Sequence, residues 1–457
     1  MKAYRIIPMS VFVRLLALVL LMLVVARPAL ALEIREVQSP GGTSFWMVEE
    51  PSIPIVSLEI SFRGGARLDP ADRAGLARMV MGLLGEGAGE LDAVAFAEAR
   101  DRVAARFGFD AGQDAVTVSA TMLVETLDES IALLRSALSA PRFDDVAIER
   151  IRAQMLAAIA EGETNPQKVA GRRWFARAFP EHPYGRPLGG TAETVSAITR
   201  DDLVAARARL LTRANARLAV VGAVDEAVAA RLVDQVLAGL DEGAPVPAIR
   251  RESDPPAGIE VVELDVPQSV AIFGQKGLWR DDPDFIPAFV MNYILGGGGF
   301  SSRLMEEVRD KRGLAYGVYS YLSVRDEAAL ILGSVQTANE RVAESLAIIR
   351  AEWARMAAEG VSAEELEAAQ KYLTGAFPLR FDSNGKIAGY LVFMQSEGLG
   401  IDYVERRNGL IEAVTVEDIR RVAKRLLRPE ALSIVVVGKP DGVESTGAEA
   451  AGTGSGG

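Results

Sequence analysis

The sequence of 457 residues contains no cysteine and a single histidine, His182. Without cysteine there are no disulfides, no thiolate nucleophile and no sulfur ligands. With one histidine there is no His pair, so a zinc site of ordinary Cys/His composition cannot be assembled within one chain. The acids of "RDDPDF", 280 to 285, could be considered for a carboxylate-bound Ca²⁺ or Mg²⁺, but they lack a recognisable loop spacing. Nucleophile motifs are also scarce. No G-x-S-x-G occurs, and "SNGK" at 383 to 386 fits S-x-x-K without the K-T-G or S-D-N that accompany it in β-lactamase-like enzymes. His182, in "EHPYG", therefore reads as a loop residue packing beside Tyr184 rather than as part of a Ser/His pair. Positive charge is in deficit too: the formal charge is −12, and an acidic body of that size repels phosphate backbones, which argues against nucleic acid as partner.

What is present begins with an export signal. Lys2, Arg5 and Arg14 precede or open the apolar run "LLALVLLMLVVA" at 15 to 26, and "ALA" at 29 to 31 supplies the small residues that a signal peptidase accepts. The run is shorter than the ~20 apolar residues of a membrane span, so the expectation is cleavage after Ala31 rather than a stable anchor. With no acid among residues 1 to 31 and four basic residues there, the remaining chain carries −16. It is expected in the periplasm or secreted, folded without covalent staples.

The rest of the chain echoes itself. "TRDDLVAARARLLTRANARLAVVG" at 199 to 222 aligns without a gap on "TVEDIRRVAKRLLRPEALSIVVVG" at 415 to 438, a shift of 216 residues. Each copy reads as a Thr cap with an acid three residues on, then a helix, then an apolar strand ending in Gly. A looser echo pairs 115 to 138 with 329 to 353. In its first copy Val116, Val118 and Ala120 point one way while Thr117, Ser119 and Thr121 point the other, as in a sheet with one covered face. Two copies of one domain explain both echoes: residues 32 to 240 and 259 to 440. They are joined by the Pro- and Gly-rich linker 241 to 258 and followed by a tail, 441 to 457, expected to be disordered.

Five stretches carry a specific resemblance: "HPYGRPLGG" at 182 to 190, "ITRDDL" at 198 to 203, "LGGGGFSSRL" at 295 to 304, "RDKRGLAYGV" at 309 to 318 and "VTVEDI" at 414 to 419. In their order and spread the chain resembles the pitrilysin, or inverzincin, zinc metallopeptidases, in the branch of processing peptidases and their subunits. The resemblance implies an α+β fold of two homologous domains, each an antiparallel sheet covered by helices, together forming half of a clamshell. It also implies a zinc site, H-x-x-E-H on a helix plus a later glutamate. The matching helix is "GLARMVMGLLGEG", 75 to 87, where the motif positions hold Arg78, Met81 and Gly82, expected to face the cleft; the later glutamate is replaced by Ala158. None of the four can hold zinc, so no metal is expected in this chain.

The resemblance also implies what remains. In such enzymes an Arg and a Tyr seven residues apart, on the domain opposite the zinc, reach the substrate backbone and the reacting carbonyl; Arg309 and Tyr316 match them in spacing and surroundings. Read without the family, Arg309 makes a surface ion pair and Tyr316 is a core aromatic. Gly296, Gly297, Gly298 and Gly299 match a Gly-rich loop that contacts substrate in the non-catalytic subunit of mitochondrial processing peptidase; the plainer reading is a tight turn between helices. Gly82, inside a helix, suggests that something approaches that helix closely. The function that follows is a zinc-free subunit binding unfolded peptide beside a homologous partner that carries H-x-x-E-H and the zinc. A purely structural subunit and a stand-alone peptide-binding protein are the alternatives.

Overall fold

A computed structural model describes residues 32–246 and 254–446. The export signal, the middle of the linker and most of the tail lie outside the described residues. Among the described residues, eleven strands form two sheets. The first contains β1 (Arg35–Gln38), β2 (Ser44–Glu49), β3 (Ile55–Arg63), β4 (Arg106–Ala111), β5 (Ala115–Leu123) and β6 (Ala216–Gly222), in the order β1-β2-β6-β3-β5-β4. The second contains β7 (Gly258–Glu263), β8 (Gln268–Lys276), β9 (Ala315–Val324), β10 (Ala329–Ala338) and β11 (Ser433–Gly438), in the order β7-β11-β8-β10-β9. The helices used below are α1 (Leu76–Leu83), α2 (Asp145–Thr164), α3 (Pro166–Ala178), α4 (Arg200–Leu210), α5 (Phe285–Asn292), α6 (Val342–Glu359), α7 (Asn384–Ser396) and α8 (Val416–Leu426).

The two sheets repeat one another strand for strand, apart from the extra edge strand β1. They are the α+β architecture expected, with one refinement: each contains a parallel pair, β2 with β6 and β7 with β11. The 216-residue echo is the same helix and strand in both copies. Thr199 with Asp202 caps α4 and Thr415 with Asp418 caps α8, each as a reciprocal capping box, and β6 and β11 follow. Alternation sets the faces. Val116, Val118 and Ala120 are buried with Val56, Leu58, Ile60 and Phe62 of β3 under α1 and α4, and the second sheet buries Ala271, Phe273, Ile434 and Val436 under α5, α6 and α8.

Each sheet's opposite face is covered by a helix from the other copy, which the division at residue 240 did not anticipate. From the first copy, α3 buries Val169, Ala170 and Trp174 against Val270, Leu330, Leu332, Val435 and Val437 of the second sheet. From the second, α7 buries Ile387, Ala388, Leu391 and Val392 against Trp46, Val48, Ala219 and Val221 of the first. The two helices are themselves equivalent, "KVAGRRWF" at 168 to 175 matching "KIAGYLVF" at 386 to 393.

A polar junction locks the copies together at the β9–β10 hairpin. Arg67 Nη1 lies 2.6 Å from Glu327 Oε1, and Arg63 Nε 2.7 Å from Asp326 Oδ2. His182 belongs here, its ring 4.6 Å from that of Tyr184, as expected from its loop. Its Nδ1 accepts from the Tyr184 N–H at 3.2 Å, so Nε2 carries the proton and donates to Glu327 Oε2 at 2.6 Å. The Tyr184 hydroxyl meets Asp114 and accepts from the Glu327 N–H at 3.1 Å; burial and that carboxylate hold its phenol well above the usual range.

The ends of the linker and the start of the tail are anchored. Residues 241 to 246 are held by Arg213 N to Asp241 O at 3.0 Å, Ala214 N to Glu242 O at 2.9 Å and Val246 N to Asn215 Oδ1 at 2.7 Å. The expected disorder from 441 onward is corrected for its first residues. Thr446 N donates to Ile259 O at 2.7 Å, and Ser445 Oγ and Thr446 Oγ1 accept from Val261 and Ile259, satisfying the free edge of β7. No helix among the described residues is long and apolar enough to cross a membrane.

Candidate functional site

The helix expected to carry the metal motif, α1, holds no histidine, glutamate or aspartate. Its N-terminus is capped from outside: buried Asp69 accepts from Gly75 N at 3.1 Å and from Ala77 N at 3.1 Å, and burial pushes its carboxyl up to about 6. Arg78 and Gly82, four residues apart, are the exposed positions of α1. Met81 is not: it is 1% exposed within the core, against the expectation that it faces the cleft. Eight residues make barely two turns, and Leu76, Ala77, Met79, Val80, Met81 and Leu83 are all buried, so the apolar face takes everything except an i, i+4 stripe. The close neighbour suspected at Gly82 is Ile151 of α2, whose Cγ2 lies 3.4 Å from where a Cβ would stand. Ala158, farther along α2, is exposed.

Other candidate ligands are occupied. His182 is held in the junction. Asp282 and Asp284 are neutralised by Arg425, at 2.7 Å from each, and by Arg421, at 2.7 Å from Asp284. Among the described residues no group of three or more His, Cys, Asp or Glu is arranged to hold a metal ion. Ser383 is the residue before α7, and Lys386 pairs with Asp382 at 2.6 Å, so the S-x-x-K match is a solvated helix start.

Arg309 and Tyr316 do come together. Arg309 ends an irregular helical segment, Met305–Asp310, and Tyr316 lies on β9, the free edge strand of the second sheet. The Arg309 guanidinium is 5.5 Å from the Tyr316 ring centroid and 4.5 Å from that of Phe300. The core reading of Tyr316 is excluded, since it is 86% exposed, and Phe300 is 66% exposed. The ion-pair reading of Arg309 is weak: Asp310 is its carboxylate neighbour at 3.8 Å. Two exposed rings and a cation stacked on them are held by little besides each other, and an exposed apolar cluster of this kind needs a reason. Tyr316 sits where the β9–β10 register shifts between Gln336 and Thr337, a bulge that turns its side chain out of the sheet's alternation. Tyr319 and Tyr321 continue the exposed aromatic line along β9, their rings stacked at 6.2 Å.

Phe300 was missed in the sequence, though it directly follows the glycines. Those glycines divide. Gly296 is buried, and a Cβ there would fall 2.8 Å from Ser320 N and 2.9 Å from Leu304 Cδ1, so its place requires the smallest residue. Gly297 is exposed and Gly298 half-buried. Gly299, at φ 58 and with nothing within 4 Å, gives the backbone the left-handed turn that brings Phe300 over Arg309.

Comparison with known proteins gives the family. Residues 45–192 match the insulinase (peptidase family M16) model, and residues 197–373 match the peptidase M16 inactive domain. A protein from Helicobacter pylori named non-peptidase homolog YmxG is 30% identical over 73% of this chain and 77% of its own length. The chain belongs to the M16 peptidase family. An uncharacterized zinc protease of Streptomyces coelicolor is 27% identical over 88% of this chain and 89% of that one. The crystal structure of a peptidase M16 inactive domain from Pseudomonas fluorescens superposes with a TM-score of 0.84 at 30% identity, covering 90% of this chain and 98% of that one. Within M16, this chain is an inactive homologue.

Proposed function

We propose that this chain is the zinc-free subunit of a heterodimeric M16 metallopeptidase of the periplasm, supplying Arg309 and Tyr316 to a chamber whose zinc is held by a homologous H-x-x-E-H partner. One observation carries the reading. The metal-site positions are blank, while the guanidinium and phenol that would act on the substrate are exposed side by side. Both are donors. When water attacks a peptide carbonyl, negative charge grows on the oxygen, and a fixed donor there lowers the barrier by ~2.7–4 kcal/mol. The tyrosines along β9 and exposed Phe300 suit an extended, unfolded peptide bound with little demand on its sequence.

The test is co-expression with the M16 homologue carrying H-x-x-E-H from the same genome, followed by assays of peptide cleavage by the purified pair. Arg309→Ala and Tyr316→Phe are each expected to lower kcat by about 10²-fold with the complex intact and its zinc retained. Full activity in both variants leaves the chain a structural subunit and rejects the reading; failure of the two chains to associate rejects it as well.

A further inference from the structure

Between the back of the first sheet and α7 lies a cavity of ≈ 390 Å³, within the range of small-molecule sites. In the second sheet the equivalent place is packed with side chains, and the pairing registers show why. Glu59 of β3 pairs with Ala219 of β6, and Ile272 of β8 pairs with Val435 of β11, so Glu59 and Ile272 are counterparts across the 216-residue repeat. Ile272 is seated on α3, its Cδ1 3.8 Å from the Cβ position of Gly171. The counterpart Gly389 has nothing within 4 Å. One turn along, Trp174 of α3 is fully buried, and its counterpart on α7 is Val392. Where the second sheet has an isoleucine and a tryptophan, the first has a carboxylate and a valine.

Glu59 is the half-buried carboxylate on the wall with no hydrogen-bond or ion-pair partner among the described residues. The other carboxylates of the wall are engaged. Arg63 is held by Asp326 at 2.7 Å, Glu397 by Arg280 at 2.5 Å, and Arg217 donates to Ala216 O at 2.9 Å. Asp114 meets the Tyr184 hydroxyl, and Arg325 lies over the Phe175 and Tyr184 rings at 4.3 and 5.0 Å, its Nη1 without a hydrogen-bond partner among the described residues. Val392 and Phe393 give the opposite wall an apolar surface. An unpaired carboxylate retained in a partly apolar cavity is costly unless something pairs with it.

We propose that this cavity binds a small organic cation, its ammonium paired with Glu59 and its apolar body against Val392 and Phe393. The site lies on the opposite face of the sheet from α1 and is independent of the Arg309–Tyr316 pair. Burial pushes the Glu59 carboxyl up to about 7, so a cation must meet it ionised and binding strengthens as pH rises through neutrality.

Benzylamine hydrochloride is the probe, benzyl alcohol its uncharged match, and thermal unfolding of the full chain the readout. Millimolar benzylamine is expected to raise Tm by about 2 °C at pH 8 and by less at pH 5.5, with no rise from benzyl alcohol. The rise should vanish in Glu59→Gln and in Gly389→Leu, which fills the space without touching the carboxylate. No rise in the native chain, an equal rise with the alcohol, or a rise that survives Glu59→Gln overturns the proposal.

Discussion

Helices α3 and α7 perform the same task for opposite sheets, from the same sequence frame, with unequal fit. On the second sheet Trp174 reaches down to donate its indole N–H to Ser433 O at 3.0 Å, and Gly274 leaves it room, since a Cβ there would lie 2.7 Å from Trp174 Cζ2. On the first sheet the position of Gly274 is Ser61, that of Ile272 is Glu59 and that of Trp174 is Val392. Two copies of one fold thus differ on a face that neither copy covers by itself. One back face has become core; the other has kept polar groups and a space.

The sharpest way to test that contrast is truncation. Trp174→Ala is expected to cost about 3–5 kcal/mol, as for a fully buried Trp whose removal also strands a backbone carbonyl. Val392→Ala, beside space that already exists, should cost about 1 kcal/mol. Urea unfolding of both variants measures the difference, and equal losses would mean that the two helices are anchored alike.

Titration of Glu59 offers the next largest effect. Its carboxyl sits at about 7 in the folded chain against 4.5 as a free side chain, because burial disfavours the charge. Below pH 4.5 folded and unfolded forms both hold the proton, and Glu59 adds no pH dependence. Between 4.5 and 7 the unfolded chain releases its proton first, so stability falls as pH rises, by on the order of 2–3 kcal/mol at pH 8. Glu59→Gln should therefore stabilise the protein by that amount at pH 8 and have almost no effect at pH 4. A gain that does not depend on pH would show that the carboxylate is already paired. Ile272 gives the second sheet no corresponding titration.

These differences explain what could and could not be read in the sequence. The repeat was legible because caps and strands are local: Thr199 with Asp202 and Thr415 with Asp418 act within four residues, and the alternation of Val116, Val118 and Ala120 fixes a face without knowledge of its partner. The pairing of Arg309 with Tyr316 was legible through family text. The crossing of α3 and α7 was not read, because a helix's apolar stripe does not say which sheet it covers, and the match of "KVAGRRWF" to "KIAGYLVF" acquires meaning only once both helices are seen on exchanged sheets. Met81 was misplaced for a related reason: motif spacing gives the angular position on a helix, but the burial of a short helix is set by what packs around it. Phe300 needed the left-handed turn at Gly299, which sets the aromatic that follows the glycine run against a cation.

The smallest expected effect addresses the space itself. Gly389 lies within α7 with an ordinary helical backbone, and no atom stands within 4 Å of where its Cβ would be. Gly costs a helix interior ~0.5–1 kcal/mol relative to Ala through the entropy of the unfolded chain, so Gly389→Ala should stabilise by about that much with nothing to displace. Gly171→Ala draws on the same entropy, but its methyl would arrive 3.8 Å from Ile272 Cδ1 and add a van der Waals contact, so its gain should be slightly the larger of the two. If Gly389→Ala instead destabilises the chain, the space beside Glu59 is already filled in solution, and the difference between the two back faces lies in their occupants rather than in their packing.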